Sequence, residues 1–270
     1  MDAGLFRILS AFSFALGACV ASFLNVVIWR VPRGESIVSP PSHCPTCGAA
    51  IRWYQNVPIL SWLALRGRCA NCRARISPRY VLVEMLGGAL FLAALLRYGG
   101  PNFQLFVMWT WIALMIVGSF IDFDHKLLPD FVTVGGMVLG VVFHAAQAIS
   151  CSFDYSIVLS SLFGLAFGFG LLWLVRALGS KAFRREAMGM GDVFLMGAVG
   201  ALFGPVAVLV TLILSSLFGS VVGLSMVALA KTKFGRFVEI PYGPYICLGC
   251  LVWMFWGPEL VTTYLRWLGF

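Results

Sequence analysis

The sequence predicts an all-α polytopic membrane protein, with about eight transmembrane helices and a small cytoplasmic zinc-knuckle-like loop domain. Three observations carry that class. The 270 residues are 60% hydrophobic and only 11% charged, where soluble domains carry about 25% charged residues. The mean hydropathy is +0.93. Apolar residues are gathered into runs near the roughly 20 that an α-helix needs to cross a bilayer, and only helices or closed barrels satisfy their backbone there.

The runs fall at 6–29, 80–96, 103–121, 131–149, 156–175, 192–204, 206–230 and 245–265. The first is too long for a signal-peptide core, and Arg30 and Arg33 follow it directly. It therefore reads as an uncleaved anchor with its N-terminus outside. The sixth run is short, and Gly204-Pro205 joins it tightly to the seventh. Alternation from the first anchor puts 30–79, 122–130, 176–191 and 231–244 in the cytoplasm. Of the 19 Lys and Arg, only Arg7, Arg97 and Arg266 then lie outside. The formal charge of +8 is thus topology charge rather than a nucleic-acid stripe. The chain divides into an anchor (1–29), a cytoplasmic four-cysteine loop domain (30–79) and a helical membrane core (80–270).

That loop carries Cys44-x-x-Cys47 and Cys69-x-x-Cys72. Paired CxxC motifs bring four thiolates to tetrahedral reach, the pattern of a structural zinc site. A disulfide reading suffers because the loop lies in the reducing cytoplasm. His43 reads as incidental beside four thiolates. Between the pairs, the apolar and aromatic stretch IRWYQNVPILSWLAL is suited to the membrane interface. Cys19, Cys151, Cys247 and Cys250 read as packing residues, and His144 as a satisfied core histidine.

The chain has 11 acidic residues, and those in or beside apolar runs are functional candidates by default. They are Glu84 in the second run, Asp122, Asp124 and Asp130 in FIDFDHKLLPD, and Asp192 in AMGMGDVFL. The third run travels inward and ends at Asp122; the sixth starts inside at Asp192. Both carboxylates therefore face the cytoplasm. Two readings stand: Asp192 as a helix N-cap with Asp122 or Asp124 as an interface residue, or a pair that activates water as aspartic proteases do. Glu84 reads first as a helix-packing hydrogen-bond partner and second as a functional acid.

The stretches GACVASFLNVVIWRVPRGES, WYQNVPILSWLALRGRC, ISPRYVLVE, IDFDHKLLPD, GMGDVFL and PYGPYICLG, in that order over nearly the whole chain, resemble the bacterial type IV prepilin leader peptidases. These also serve type II secretion and belong to the GxGD class of intramembrane aspartic proteases. The resemblance implies cleavage of basic leaders from prepilins or pseudopilins at the cytoplasmic face of the bacterial inner membrane, with the N-terminus periplasmic. It also implies N-methylation of the new N-terminal residue with S-adenosylmethionine as donor. By motif, Asp122 and Asp192 become the catalytic dyad, Asp124 the rival for the first role, and Gly189 and Gly191 the active-site loop, where missing Cβ atoms admit an extended substrate. Three positions depart from the family pattern: Ala21 replaces a glycine, Val81 a proline, and Phe194 a lysine. No Rossmann-type methyltransferase motif occurs, so methyl transfer rests on the resemblance and no cofactor-binding residue is assigned. The alternatives are a zinc-knuckle membrane scaffold, which needs no Asp pair, and a proton-coupled transporter, which needs acids near the midplane in repeated halves. A zinc metalloprotease lacks its H-E-x-x-H.

Overall fold

The computed structural model describes residues 2–184, 186, 188–229 and 240–269. Arg185, Lys231, Lys233, Arg236 and Glu239 of the expected inner loops lie outside them. The helices are α1 (Ala3–Arg30), α2 (Leu60–Ala64), α3 (Pro78–Tyr98), α4 (Phe103–His125), α5 (Asp130–Ser150), α6 (Tyr155–Phe183), α7 (Met190–Leu229) and α8 (Gly243–Trp267). Among the described residues, β-structure is limited to two isolated bridges, and seven helices are long and apolar enough to cross a membrane. The all-α multi-pass class follows. The chain forms two compact units, 1–117 and 118–270.

In the first unit α1 packs on α3 through small residues, as membrane helices do when backbones approach closely. A Cβ on Gly17 would lie 2.5 Å from the Gly87 carbonyl oxygen, and the Ala21 methyl fills the space facing Gly87. Ala21 is 1% exposed, so its departure from glycine is used as packing. Val81 is likewise buried. Ser13 Oγ donates to the Phe91 carbonyl at 3.0 Å, and the Phe91 ring stacks on Trp109 at 5.2 Å. α3 starts cleanly because Ser77 caps it and Pro78 opens it, the two residue types favoured there.

The second unit holds the end of α4 with α5 to α8. Its tightest seam joins α6 to α7, where a Cβ on Gly164 or Gly200 would overlap the other's carbonyl oxygen. Within α7, Gly204 has φ 81 and ψ −179, a conformation open essentially to glycine alone. Pro205 then restarts the helix in the position proline favours. A straight helix would part residues 200 and 208 by about 12 Å. Instead, Val208 Cγ2 lies 3.1 Å from where a Cβ on Gly200 would stand, and 3.1 Å from that of Gly168. The chain doubles back here. The expected runs 192–204 and 206–230 are therefore two antiparallel halves of one helical element, both opening to the same side.

Candidate active site and metal centre

In the second unit, the end of α4 and the starts of α7 and α8 meet. Asp122, in the last turn of α4, is 6% exposed, and Asp192, the third residue of α7, is 7% exposed. Asp122 Oδ2 accepts the Gly243 N–H at 3.0 Å. That amide is one of the orphan donors at the start of α8, so a helix terminus finds its partner in a side chain from another helix. Asp192 Oδ1 is buried without a hydrogen-bond partner among the described residues. The two carboxylates act electrostatically on one another, and both act on the buried thiol of Cys247 one turn into α8. The sequence signal for Cys247 was only its packing character.

Both glycines of the GMGD stretch flank Asp192. A Cβ on Gly189 would lie 3.5 Å from Asp192 Oδ2, and one on Gly191 only 2.8 Å from Leu128 Cβ. Leu128, half-buried, also reaches within 3.2 Å of the Cβ position on Gly243. It thus packs on the first turns of both α7 and α8. Arg176 braces the approach to α7, donating from Nε to the Met188 carbonyl at 3.0 Å and pairing with Glu186 at 3.2 Å. Asp124 and Asp130 are exposed. Asp124 lies two residues beyond Asp122, about 200° around the helix. His144 hydrogen-bonds the Gly140 carbonyl within its own helix at 2.9 Å. Phe194 tilts against Phe169 of α6 at 5.5 Å, which gives the ring at this position a packing role.

Sequence reasoning missed Gly243 and Leu128. Gly243 sits in the quoted PYGPY, and its Gly-Pro pair signals a helix start, but its donor is a backbone amide that no side chain advertises. Leu128 is one apolar residue among many.

In the first unit, the ligand atoms of Cys44, Cys47, Cys69 and Cys72 all lie within 4.8 Å of one another, with Cys44 and Cys72 Sγ 3.8 Å apart. A tetrahedron with metal–sulfur bonds of about 2.3 Å has edges of about 3.8 Å. The two CxxC turns share one build. In the first, Cys44 N–H donates to the Ala49 carbonyl and Gly48 N–H to that of Cys44; in the second, Cys69 N–H donates to Ala74 and Arg73 N–H to Cys69. Gly48 and Arg73, each following the second cysteine, have φ 69 and 61. The amides of Cys47 and Thr46 aimed at Cys44 lower its thiol to about 6. For Cys72 the Ala74 amide pulls down, but desolvation and the thiols of Cys47, Cys69 and Cys44 prevail and push it up to about 11. Four sulfur atoms this close are placed to hold a metal ion, and the donor set suits a closed, structural site.

Glu84, 9% exposed on α3, accepts the Ile59 N–H at 2.7 Å. Ile59 has φ 64 and ψ −54, and Leu60 N–H donates to the Pro58 carbonyl at 2.6 Å. That is a γ-turn of the strained hand, held by a β-branched residue at the start of α2. Glu84 therefore ties the cysteine loop to α3.

Residues 15–98 match the Bacterial Peptidase A24 N-terminal domain, and 109–224 match the Type IV leader peptidase family. A prepilin leader peptidase/N-methyltransferase of Myxococcus xanthus is 43% identical over 230 residues, covering 85% of this chain and 66% of its own. One from Pseudomonas aeruginosa is 35% identical over 280 residues, covering 94% and 93%. The type 4 prepilin-like proteins leader peptide-processing enzyme of Escherichia coli is 36% identical over 251 residues, covering 86% and 88%. No solved structure matches the chain.

Proposed function

The chain belongs to the type IV leader peptidase family, and on that premise we propose that it removes the basic leaders of prepilins or type II secretion pseudopilins by an Asp122–Asp192 dyad, then N-methylates the exposed residue. The observation that carries the reading is the pair itself: two buried carboxylates in mutual electrostatic reach, one oriented by an amide and the other with a partnerless oxygen. Such an oxygen is suited to hold a water.

In the proposed reaction one carboxylate takes a proton from the water as its oxygen attacks the scissile carbonyl. The other, protonated, donates to the developing oxyanion. The intermediate collapses with cleavage of the C–N bond, and the leaving amine takes up the proton. The Gly243 amide fixes the Asp122 carboxylate throughout. Gly189 keeps a Cβ away from Asp192 Oδ2, leaving backbone room for an extended peptide, while Gly191 lets Leu128 pack against the first turn of α7. Asp124, exposed on another face of α4, fits the dyad role less well.

The four thiolates hold zinc in this reading, as a staple for a loop too small to build its own core. S-adenosylmethionine supplies an electrophilic methyl group to the new amine. The protein lies in the bacterial inner membrane with its N-terminus periplasmic and both Asp-bearing helix ends cytoplasmic, the orientation favoured by the basic residues.

The test is a mass-spectrometric product assay on the purified protein in lipid, with a prepilin whose basic leader ends in Gly before Phe. Wild type removes the leader, and Asp122→Asn and Asp192→Asn do not, while keeping the wild-type melting temperature. Cleavage that survives both substitutions overturns the dyad and moves the scaffold reading ahead.

A further inference from the structure

Asp122 takes its orientation from one peptide unit, the one that joins Tyr242 to Gly243. Its N–H donates to Asp122 Oδ2 at 3.0 Å, and its carbonyl accepts the amides of Tyr245 and Ile246 at 3.0 and 3.2 Å. The unit is planar, so whatever fixes Tyr242 also aims the Gly243 N–H. α8 starts here without a capping hydrogen bond from the Tyr242 side chain, and tyrosine is not among the residues favoured at that position. The side chain is used elsewhere.

The Tyr242 ring crosses to the second half of α7, where Cε2 lies 3.9 Å from the Cβ position on Gly219. Its hydroxyl stands 2.7 Å from Ser215 Oγ and 3.2 Å from Ser216 Oγ. Ser215 spends its only hydroxyl proton on the Leu212 carbonyl at 3.1 Å. The Tyr242 O–H therefore donates to Ser215, and Ser216 donates to the tyrosine oxygen. The three hydroxyls form one directed chain that ends on a backbone carbonyl, and such chains strengthen their members. Ser215 is 0% exposed, so water does not take its place.

The consequence reaches the other carboxylate. Ser215 stands on the half of α7 that follows the Gly204 reversal, and Asp192 on the half that precedes it. The tyrosine thus fastens the amide that aims Asp122 to the same helical element that carries Asp192. We propose that Tyr242 is a positioning residue of the dyad. Its hydrogen bond to Ser215 sets where the Gly243 amide, and with it Asp122, stands relative to Asp192. The inference rests on the dyad reading of the previous section. In this role Tyr242 acts through the peptide unit that follows it, and an oriented carboxylate matters because small displacements at a reacting group cost rate steeply.

The experiment uses the full chain, zinc-loaded, in lipid nanodiscs, with the prepilin of the cleavage assay. Tyr242→Phe keeps the ring and removes the O–H; Ser215→Ala removes the acceptor of the same bond. The two approach one bond from opposite sides, so the test stands if either fails to fold. In each, kcat should fall about tenfold, the size of one lost hydrogen bond, with KM within about twofold of wild type. The double variant should lose no more than Tyr242→Phe alone, because both remove one interaction. Hydrogen exchange read by mass spectrometry should show the Gly243 amide opening faster in both, with the middle of α8 unchanged. Ser161→Ala is the control, since it removes a buried bond to the Ala201 carbonyl at 2.7 Å. It should lower the melting temperature and leave kcat within about twofold. Turnover by Tyr242→Phe at the wild-type rate overturns the inference. So does a change confined to KM, or losses that add in the double variant. A wild type that cuts no prepilin removes the dyad reading and this inference with it. Cleavage lost in Asp122→Asn but unchanged in Tyr242→Phe removes this inference alone.

Discussion

Alanine at Gly243 is the sharpest probe of the proposed dyad. Its Cβ would stand 2.7 Å from Asp122 Oδ2 and 3.2 Å from Leu128 Cδ1. Ordinary contact starts near 3.4 Å, so the carboxylate must retreat by about 0.7 Å, while the leucine can turn aside. A displacement of about 1 Å at a catalytic group costs on the order of 100-fold. Scaled to 0.7 Å, the loss is about 25-fold in cleavage rate, or about 2 kcal/mol of barrier. Stability should move little: Gly243 opens α8 and its φ is not positive, so the helix-propensity gain of alanine is set against the restriction that Pro244 places on a preceding residue with a Cβ. Single-turnover cleavage by mass spectrometry and a thermal melt on the same sample separate the two effects. Gly135→Ala is the matched control, since a Cβ there meets nothing within 4 Å. If Gly243→Ala cuts within about threefold of wild type, the carboxylate is not held by that amide and the reasoning fails. A rate loss matched by a drop in melting temperature refutes it equally.

Cys44→Ser should release metal from the loop, read as a fall from one zinc per chain by elemental analysis, and open 34–77 to limited proteolysis; retained zinc would assign the metal elsewhere. Gly200→Ala drives a methyl into the Gly164 carbonyl and should destabilise by about 1–3 kcal/mol, seen as a lower melting temperature. Phe194→Lys breaks the ring pair with Phe169, worth about 0.5–1.5 kcal/mol. It should lower the melting temperature with no gain in cleavage, despite restoring the commoner residue of the family.

What the sequence made legible follows from which forces are local. Apolar runs report membrane helices because the bilayer imposes length on them one at a time, and the Gly204-Pro205 join announced the reversal because only that pair suits both of its backbone conformations. The CxxC spacings marked the four-thiol cluster because two-residue separations fix ligand geometry locally. Asp122 and Asp192 could be placed on one side by alternation alone. Their mutual reach could not, since it depends on how α4, α7 and α8 meet. Gly243 was illegible for the same reason: what matters is the absence of a side chain at a point where another helix's carboxylate arrives. The Glu84–Ile59 bond spans 25 residues and depends on an unusual turn that isoleucine does not advertise.

The reversal at Gly204 has a consequence for how the protein is made. The half that carries Asp192, residues 190–203, is about 21 Å long, short of the roughly 30 Å of hydrocarbon. It cannot partition from the translocation channel as a stop-transfer segment in its own right. It must enter together with 205–229 as a hairpin, released late, when most of the chain has been synthesised. By then α6 is in the bilayer to receive it along the glycine seam. Asp192 therefore never has to face lipid unescorted: the acid arrives with its shelter.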